Sequence, residues 1–244
     1  MRNLVFVLGY DGTEFNGWQT QPGFRTVQET LEKALSEFTG AKVTANASGR
    51  TDSGVHAVGQ VANFYTAAEY PPETFLRAVN SRLPADVVVH RCWEVDRTFC
   101  ANKSAKLKLY RYVVHDAATP DPFLRRFCYY TKHKLDAGAM HRACQCLHGR
   151  HDFHSFETEW PNRLTSVRTI THIAVNRIGD YLWLDVEADG FLYNMVRAIA
   201  GTLIDVGRGY MPESSVVEIL NAKDRTVAGP TAPAQGLFLM RVTY

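Results

Sequence analysis

Arg50 and Asp52 sit two residues apart in "ASGRTDSGVHAVGQVANF", a run from Ala47 to Phe64 in which Gly49 and Gly54 flank the pair and a strand pattern follows. Residues two apart on an extended segment share a face, so the guanidinium and the carboxylate address one spot. The glycines permit unusual backbone dihedrals and close approach of a ligand. A carboxylate held ionised beside a cation can act as a nucleophile. The plainer alternative is an Asp that bonds its own turn amides beside a surface Arg. His56, just beyond the turn, is read as structural before it is read as a general base.

Other clusters carry less chemistry. "HRACQCLHGRHDFH" gathers His141, Cys144, Cys146, His148, His151 and His154. Cys144 and Cys146 face different ways on a helix and no C-x-x-C occurs, so no metal site is expected. "GTLIDVGRG" lacks the Lys-Ser/Thr of a phosphate-binding loop, and its glycines suit close helix packing. Missing H-x-E and P-C-x-x-C patterns exclude a zinc-dependent nucleotide deaminase.

Charge is uneven along the chain. The formal net charge is +2, yet the stretch from Arg97 to Lys134 carries nine Lys or Arg against Asp116 and Asp121. Tyr110, Tyr112, Phe123, Phe127, Tyr129 and Tyr130 interleave with those cations. Such a stripe suits a polyanion whose bases or sugars also touch protein, and equally a solvated strand face with core aromatics behind it. Five irregularly spaced cysteines in 244 residues argue against a disulfide framework. No run approaches a membrane span and the N-terminus is no signal peptide, so a soluble, cytoplasmic protein is expected.

The elements that must hold the turn follow from periodicity. "NLVFVLGY" alternates as a strand and breaks at Asp11-Gly12. Thr26-Val-Gln-Glu29 is a capping box, Val27, Leu31, Ala34, Leu35 and Phe38 recur at helical spacing, and Gly40 stands where the helix stops. Short strands flank the turn, Pro71-Pro72 opens a second helix, and "DVVVHRCWEV" is a strand. The order β-α-β-β-α-β predicts a split βαβ, ferredoxin-like unit, as in common RNA-binding modules. The second half repeats it more loosely: strands at "LYRYVVH" and "FCYYT", a helix over 135–147, a hairpin turning at Gly179-Asp180, helices over 192–206 and 213–220, and a last strand "GLFLMRVTY". The fold class expected is α+β, with two ferredoxin-like domains of mixed or antiparallel sheets, 1–100 and 101–244, flanking a central RNA-binding cleft.

The string "GRTDSGVHAVGQVANF" resembles the active-site motif of the TruA-type tRNA pseudouridine synthases. The likeness extends through "YDGTEFNGWQTQ", "TVQETLEKAL", "LKLYRYVV", "LHGRHDFHSF", "DGFLYNMVRAIAGTLIDVGRG" and "TAPAQGLFLMRVTY", spanning nearly the whole chain. The resemblance implies Asp52 as nucleophile, Arg50 as the residue that holds the flipped nucleotide's place, and Tyr110 as the contact to the target base. It implies Arg197 as the cation paired with Asp52, whose pKa is then expected to be depressed, and Leu237 as an apolar wall. Lys106, Lys108 and Arg111 are expected to bind substrate. The reaction would isomerise uridine in the anticodon stem-loop of tRNA, around positions 38 to 40, without cofactor or metal and on a homodimer. After Phe99 the family's His-Ala-Arg pattern gives way to "CANKSAKLKLY", with Cys100, Asn102 and Lys103, a departure bearing on tRNA docking and substrate range. The competing reading is a tandem ferredoxin-like RNA-binding protein without catalysis. It leaves Asp52 unexplained, because a carboxylate in an RNA cleft repels phosphate.

Overall fold

The computed structural model describes residues 1–158 and 165–244. They form a mixed α+β protein with ten strands and five α-helices among the described residues. The chain divides into two compact units, Met1–Lys106 with Phe238–Tyr244, and Leu107–Leu237.

The first unit begins with strand β1 (Arg2–Tyr10), then helix α1 (Val27–Thr39), β2 (Ala45–Ala47), β3 (His56–Thr66), α2 (Pro72–Asn80) and β4 (Val87–Val95). Antiparallel β1 lies between β4 and β3. The far edge of β3 is shared: β2 pairs antiparallel at Ala62–Phe64, and β10 (Leu237–Thr243) pairs parallel at His56 and Ala57. Helix α1 starts where Thr26 accepts a hydrogen bond from the Glu29 amide and stops at Gly40 in the left-handed region, φ 70°. Its apolar stripe of Leu31, Ala34 and Leu35 is buried, and Phe75 of α2 packs on Phe64 of β3 at 5.8 Å. Burying side chains of that size stabilises by about 1.5–3 kcal/mol each.

The second unit orders its strands β5-β9-β8-β7, all antiparallel, with β5 (Leu107–His115), β7 (Gly149–Asp152), β8 (Val167–Ile178) and β9 (Tyr181–Ala188). The two-residue β6 (Tyr129–Tyr130) runs parallel beside the end of β5. Along β9 burial alternates strictly, as "YLWLDVEA" requires of a strand with one covered face. Helices α3 (Ala137–Cys144), α4 (Met195–Gly207) and α5 (Ser215–Ala222) complete the unit. The helix expected over 135–147 is thus shorter, passing into a 3-10 turn at Gln145–Leu147. Between the expected helix and hairpin, "GRHD" forms β7, a strand for which the sequence carries no periodic signal. All five cysteines are free thiols. Among the described residues no helix is long and apolar enough to cross a membrane.

Candidate active site

Asp52 lies half-buried on the turn that leads into β3, and Arg50 is exposed on the same turn. Two loops brace that turn. The first, residues 11–18, comes straight off β1. Trp18 donates its amide to the Thr51 carbonyl at 3.0 Å, and the Gly54 amide donates to the Phe15 carbonyl at 3.2 Å. Tyr10 and Thr51 share a buried hydroxyl–hydroxyl hydrogen bond of 2.8 Å. Burial pushes the Tyr10 phenol up to about 12, so it stays neutral while it holds Thr51. Contact between loop and turn is closer than any side chain allows. A Cβ on Gly12 would stand 2.0 Å from the Val55 carbonyl oxygen, and one on Gly17, at φ +78°, 2.4 Å from that of Thr51. "YDGTEFNGW" therefore needs glycine at both positions.

The second brace is β3 itself. Ser48 donates its amide to the Val61 carbonyl at 2.8 Å and its hydroxyl to Gln60 Oε1 at 2.7 Å. Gln60 Nε2 returns to the Gly49 carbonyl at 2.9 Å. Of the two glycines flanking Arg50 and Asp52, Gly54 takes a positive φ of 77° and Gly49 does not. The Val55 amide closes the turn on the Asp52 carbonyl at 3.1 Å. The backbone that carries the Asp52 side chain is thus fixed from both sides.

His56 is 1% exposed. Its Nδ1 accepts from the Gly12 amide at 3.0 Å, and its ring stacks on Phe238 at 4.7 Å. Those contacts tie the first loop to the start of β3, and Asp11 Oδ1 stands 3.2 Å from the same Nδ1. Arg50 also lines a pocket of about 250 Å³ with Trp18, Gln28, Asn46, Cys100 and Asn102. Lys106 is exposed at the end of the same unit, where its amide donates to the Thr243 carbonyl at 2.8 Å.

The second unit carries the other expected residues. Tyr110 is buried in β5, its ring edge-on to Phe191 at 5.0 Å, so the "LKLYRY" and "DGFLYN" motifs meet there. Arg197, on α4, donates through Nε to the Ala232 carbonyl at 2.7 Å and through Nη1 to Asn194 Oδ1 at 2.9 Å. Asn194 caps α4 from the left-handed region, φ 62°. The segment that accepts from Arg197 continues to Pro233, whose carbonyl takes the Tyr112 hydroxyl at 2.8 Å, and to buried Leu237. Arg197, Tyr112 and the "TAPAQGL" segment are therefore held as one piece.

Neighbours on β5 differ in what they can offer a polyanion. Burial pushes the Lys108 ammonium below the ordinary lysine range. Arg111 forks onto Asp185 of β9, Nε–Oδ1 2.7 Å and Nη2–Oδ2 2.8 Å, and lies over the Trp183 ring at 4.0 Å. That cross-strand pair, in register on β5 and β9, neutralises its charge. Lys134 likewise reaches Asp116 and Asp180. The basic stretch of the sequence is thus partly a set of internal ion pairs.

The histidine- and cysteine-rich run disperses in the fold. His148 bonds the Thr171 carbonyl, His151 the His148 carbonyl, and His154 the Glu157 carboxylate. Among the described residues no three His, Cys, Asp or Glu side chains group so as to hold a metal ion.

The family described as tRNA pseudouridine synthase matches residues 7–112 and 143–244. The chain is 44% identical over 244 residues, the whole of both chains, to tRNA pseudouridine synthase A of Acetivibrio thermocellus. It is 46% identical over 244 residues to that of Geobacillus kaustophilus, covering all of this chain and 95% of that one. With that of Thermoanaerobacter sp. (strain X514) the identity is 43%, again over the whole of both chains. Among solved structures, a chain in the crystal structure of a Cbf5-Nop10-Gar1 complex overlaps at a TM-score of 0.36 with 13% identity, covering 99% of this chain and 58% of that chain, too distant to bear on the fold. Identity at these levels from end to end, with the family match over residues 7–112 and 143–244, carries the assignment: the chain belongs to the TruA-type tRNA pseudouridine synthases and is an isomerase.

Proposed function

We propose that this protein isomerises uridine to pseudouridine in the anticodon stem-loop of tRNA, around positions 38 to 40, with Asp52 as nucleophile. The observation that carries the reading is the turn itself: a half-buried Asp52 on a backbone pinned from both sides, two residues from exposed Arg50. The N1–C1′ bond breaks, the base rotates, and C1′ bonds to C5. C5 gives up its hydrogen and N1 gains one, so no redox partner is needed. Asp52 attacks as the carboxylate, at C1′ of the ribose or C6 of the uracil, and Arg197 is the cation that keeps it ionised. Tyr110 stacks on or bonds the uracil, and Leu237 walls it. A stacked uridine must first leave its helix, at a cost of a few kcal/mol, and Arg50 fills the place it vacates. Exposed Lys106 contacts phosphate, with Lys108 beside the base, while Arg111 keeps β5 and β9 in register. tRNA as substrate puts the reaction in the cytoplasm, and a homodimer presents two such sites.

The strand order supports the reading. β4-β1-β3 with β2 on the far edge of β3 is the 4-1-3-2 order of a split βαβ unit, and β5-β9-β8, with α3 between β5 and β8, repeats its 1-3-2 part. The first unit supplies Asp52 and the second Arg197.

The test is tritium release from transfer RNA labelled at uracil C5, for wild type and Asp52→Ala. Release by wild type and none by the variant, with RNA binding kept, is the expected result. Binding without release by either protein would overturn the proposal in favour of an RNA-binding module.

A further inference from the structure

Asn102 lies three residues beyond Phe99, and its side chain reaches the turn that carries Arg50 and Asp52. Its Nδ2 donates to the Ser48 carbonyl at 2.8 Å. A carbonyl only accepts, so the amide nitrogen faces Ser48 and the amide oxygen turns away. With this bond Ser48 is held at its amide by Val61, at its hydroxyl by Gln60 and at its carbonyl by Asn102. Thr51 is held at its carbonyl by Trp18 and at its hydroxyl by Tyr10. Between these fixed points lie Gly49, itself held at its carbonyl by Gln60, and Arg50, and Asp52 follows directly.

The segment that presents Asn102 is itself anchored. The Ala101 amide donates to Asn63 Oδ1 at 2.9 Å, and Asn63 Nδ2 donates to Asn3 Oδ1 at 3.0 Å. Asn3 Nδ2 in turn donates to the carbonyls of Asp96 and Phe99, both at 2.9 Å. The Tyr244 hydroxyl donates to the Ala101 carbonyl at 2.9 Å. A buried relay through β1 and β3 therefore ends at one exposed amide that grips the active-site turn. We infer that Asn102 is a positioning residue for the Arg50–Asp52 turn, acting through the Ser48 carbonyl. The inference rests on the reading of that turn as catalytic.

Asn102 is exposed, so its replacement opens no cavity. Asn102→Asp keeps the shape but sets an acceptor against an acceptor, Asn102→Ala removes the grip, and Asn102→Gln keeps a donor on a longer stem. Single-turnover tritium release under saturating enzyme should fall about tenfold in the Asp and Ala variants, with RNA affinity and melting temperature kept and the rate partly restored in Gln. Amides over residues 49–53 should exchange several-fold faster in the same two variants. Wild-type rates and wild-type exchange in both would overturn the inference, as would a rate loss explained wholly by weaker RNA binding, which makes Asn102 a substrate contact. A wild-type protein that releases no tritium sinks the synthase reading instead, and the exchange rates still decide whether Asn102 holds the turn.

Discussion

Gly17 and Gly23 share one backbone conformation, φ +78° and +80°, and differ in what surrounds them. An added Cβ at Gly23 meets nothing within 4 Å, whereas at Gly17 it meets the Thr51 carbonyl at 2.4 Å. The pair separates two costs that usually arrive together. Gly23→Ala carries only left-handed strain, about 1–2 kcal/mol. Gly17→Ala adds displacement of the turn, and denaturant titration should show it less stable than Gly23→Ala by at least about 1 kcal/mol. Tritium release should fall in Gly17→Ala and hold in Gly23→Ala. Equal stability and equal activity would mean that the loop after β1 does not position the turn. Part of this scale was legible: the spacing of Arg50 and Asp52 is a local property, whereas of the two glycines beside them only Gly54 takes a positive φ, and the close approaches fall at Gly12 and Gly17 in the facing loop. The neutralisation of Arg111 was not, because Asp185 becomes its neighbour only through the register of β5 on β9. Lys108, read as a substrate cation, is burdened by burial that no local pattern announces.

Elements with their own start and stop signals read true. Helix α1 runs between the Thr26 cap and Gly40, and the β8–β9 hairpin turns at Gly179-Asp180. Strand β7 escaped because "GRHD" has neither alternation nor β-branched residues and is a strand only by pairing with β8. Long-range ties of this kind also set stability. Asp116, at the end of β5, is fully buried and takes both guanidinium nitrogens of Arg177 from β8, at 2.8 and 2.7 Å, with the Leu135 amide at 2.9 Å. Burial alone would raise its carboxyl pKa, but Arg177, the Leu135 amide and Lys134 outweigh it and hold the group below the ordinary carboxylate range. A carboxyl lowered on folding stabilises fully above its ordinary value near 3.8, and that contribution is lost as pH falls through the lower folded value. Asp116→Asn leaves Arg177 without its counter-charge and should cost about 3 kcal/mol at pH 7. The gap between wild type and variant should stay constant down to about pH 4 and close below it. A gap independent of pH to well below that point would show that Asp116 works by shape rather than charge.

The first unit is not built from one stretch of chain. It takes residues 1–106, gives up the chain to the second unit, and recovers it for the last seven residues. Those residues are not an appendage. Phe238 stacks on His56, Leu239 is fully buried, and the Met240 carbonyl lies where a Cβ on Gly59 would stand, 2.5 Å away. Thr243 accepts the Lys106 amide, and Val242 and Tyr244 cover the cluster of Val5, Val61 and Ala101. Nothing in "GLFLMRVTY" specifies that it will lie parallel to the start of β3, where the pairing is only two residues long and the partner is far away in sequence. Such a contact is costly to find and strong once made, because loop closure grows slowly with length while burial is paid back in full. The Arg50–Asp52 turn precedes β3 directly, and the start of β3, at His56 and Ala57, is where the chain's last strand pairs. A chain ending at Leu237 should therefore lose at least about 3 kcal/mol from the first unit by removal of buried Leu239 and the Phe238 stack. Amide exchange should lose protection across β3 and the turn while β8 and β9 keep theirs, and thermal unfolding should split into two transitions. Phe238→Ala, a gentler change, should shift the first transition in the same direction. If the shortened chain melts in one transition at the wild-type temperature, β10 only covers an edge, and the stability of the Arg50–Asp52 turn comes from β1 and β3 alone.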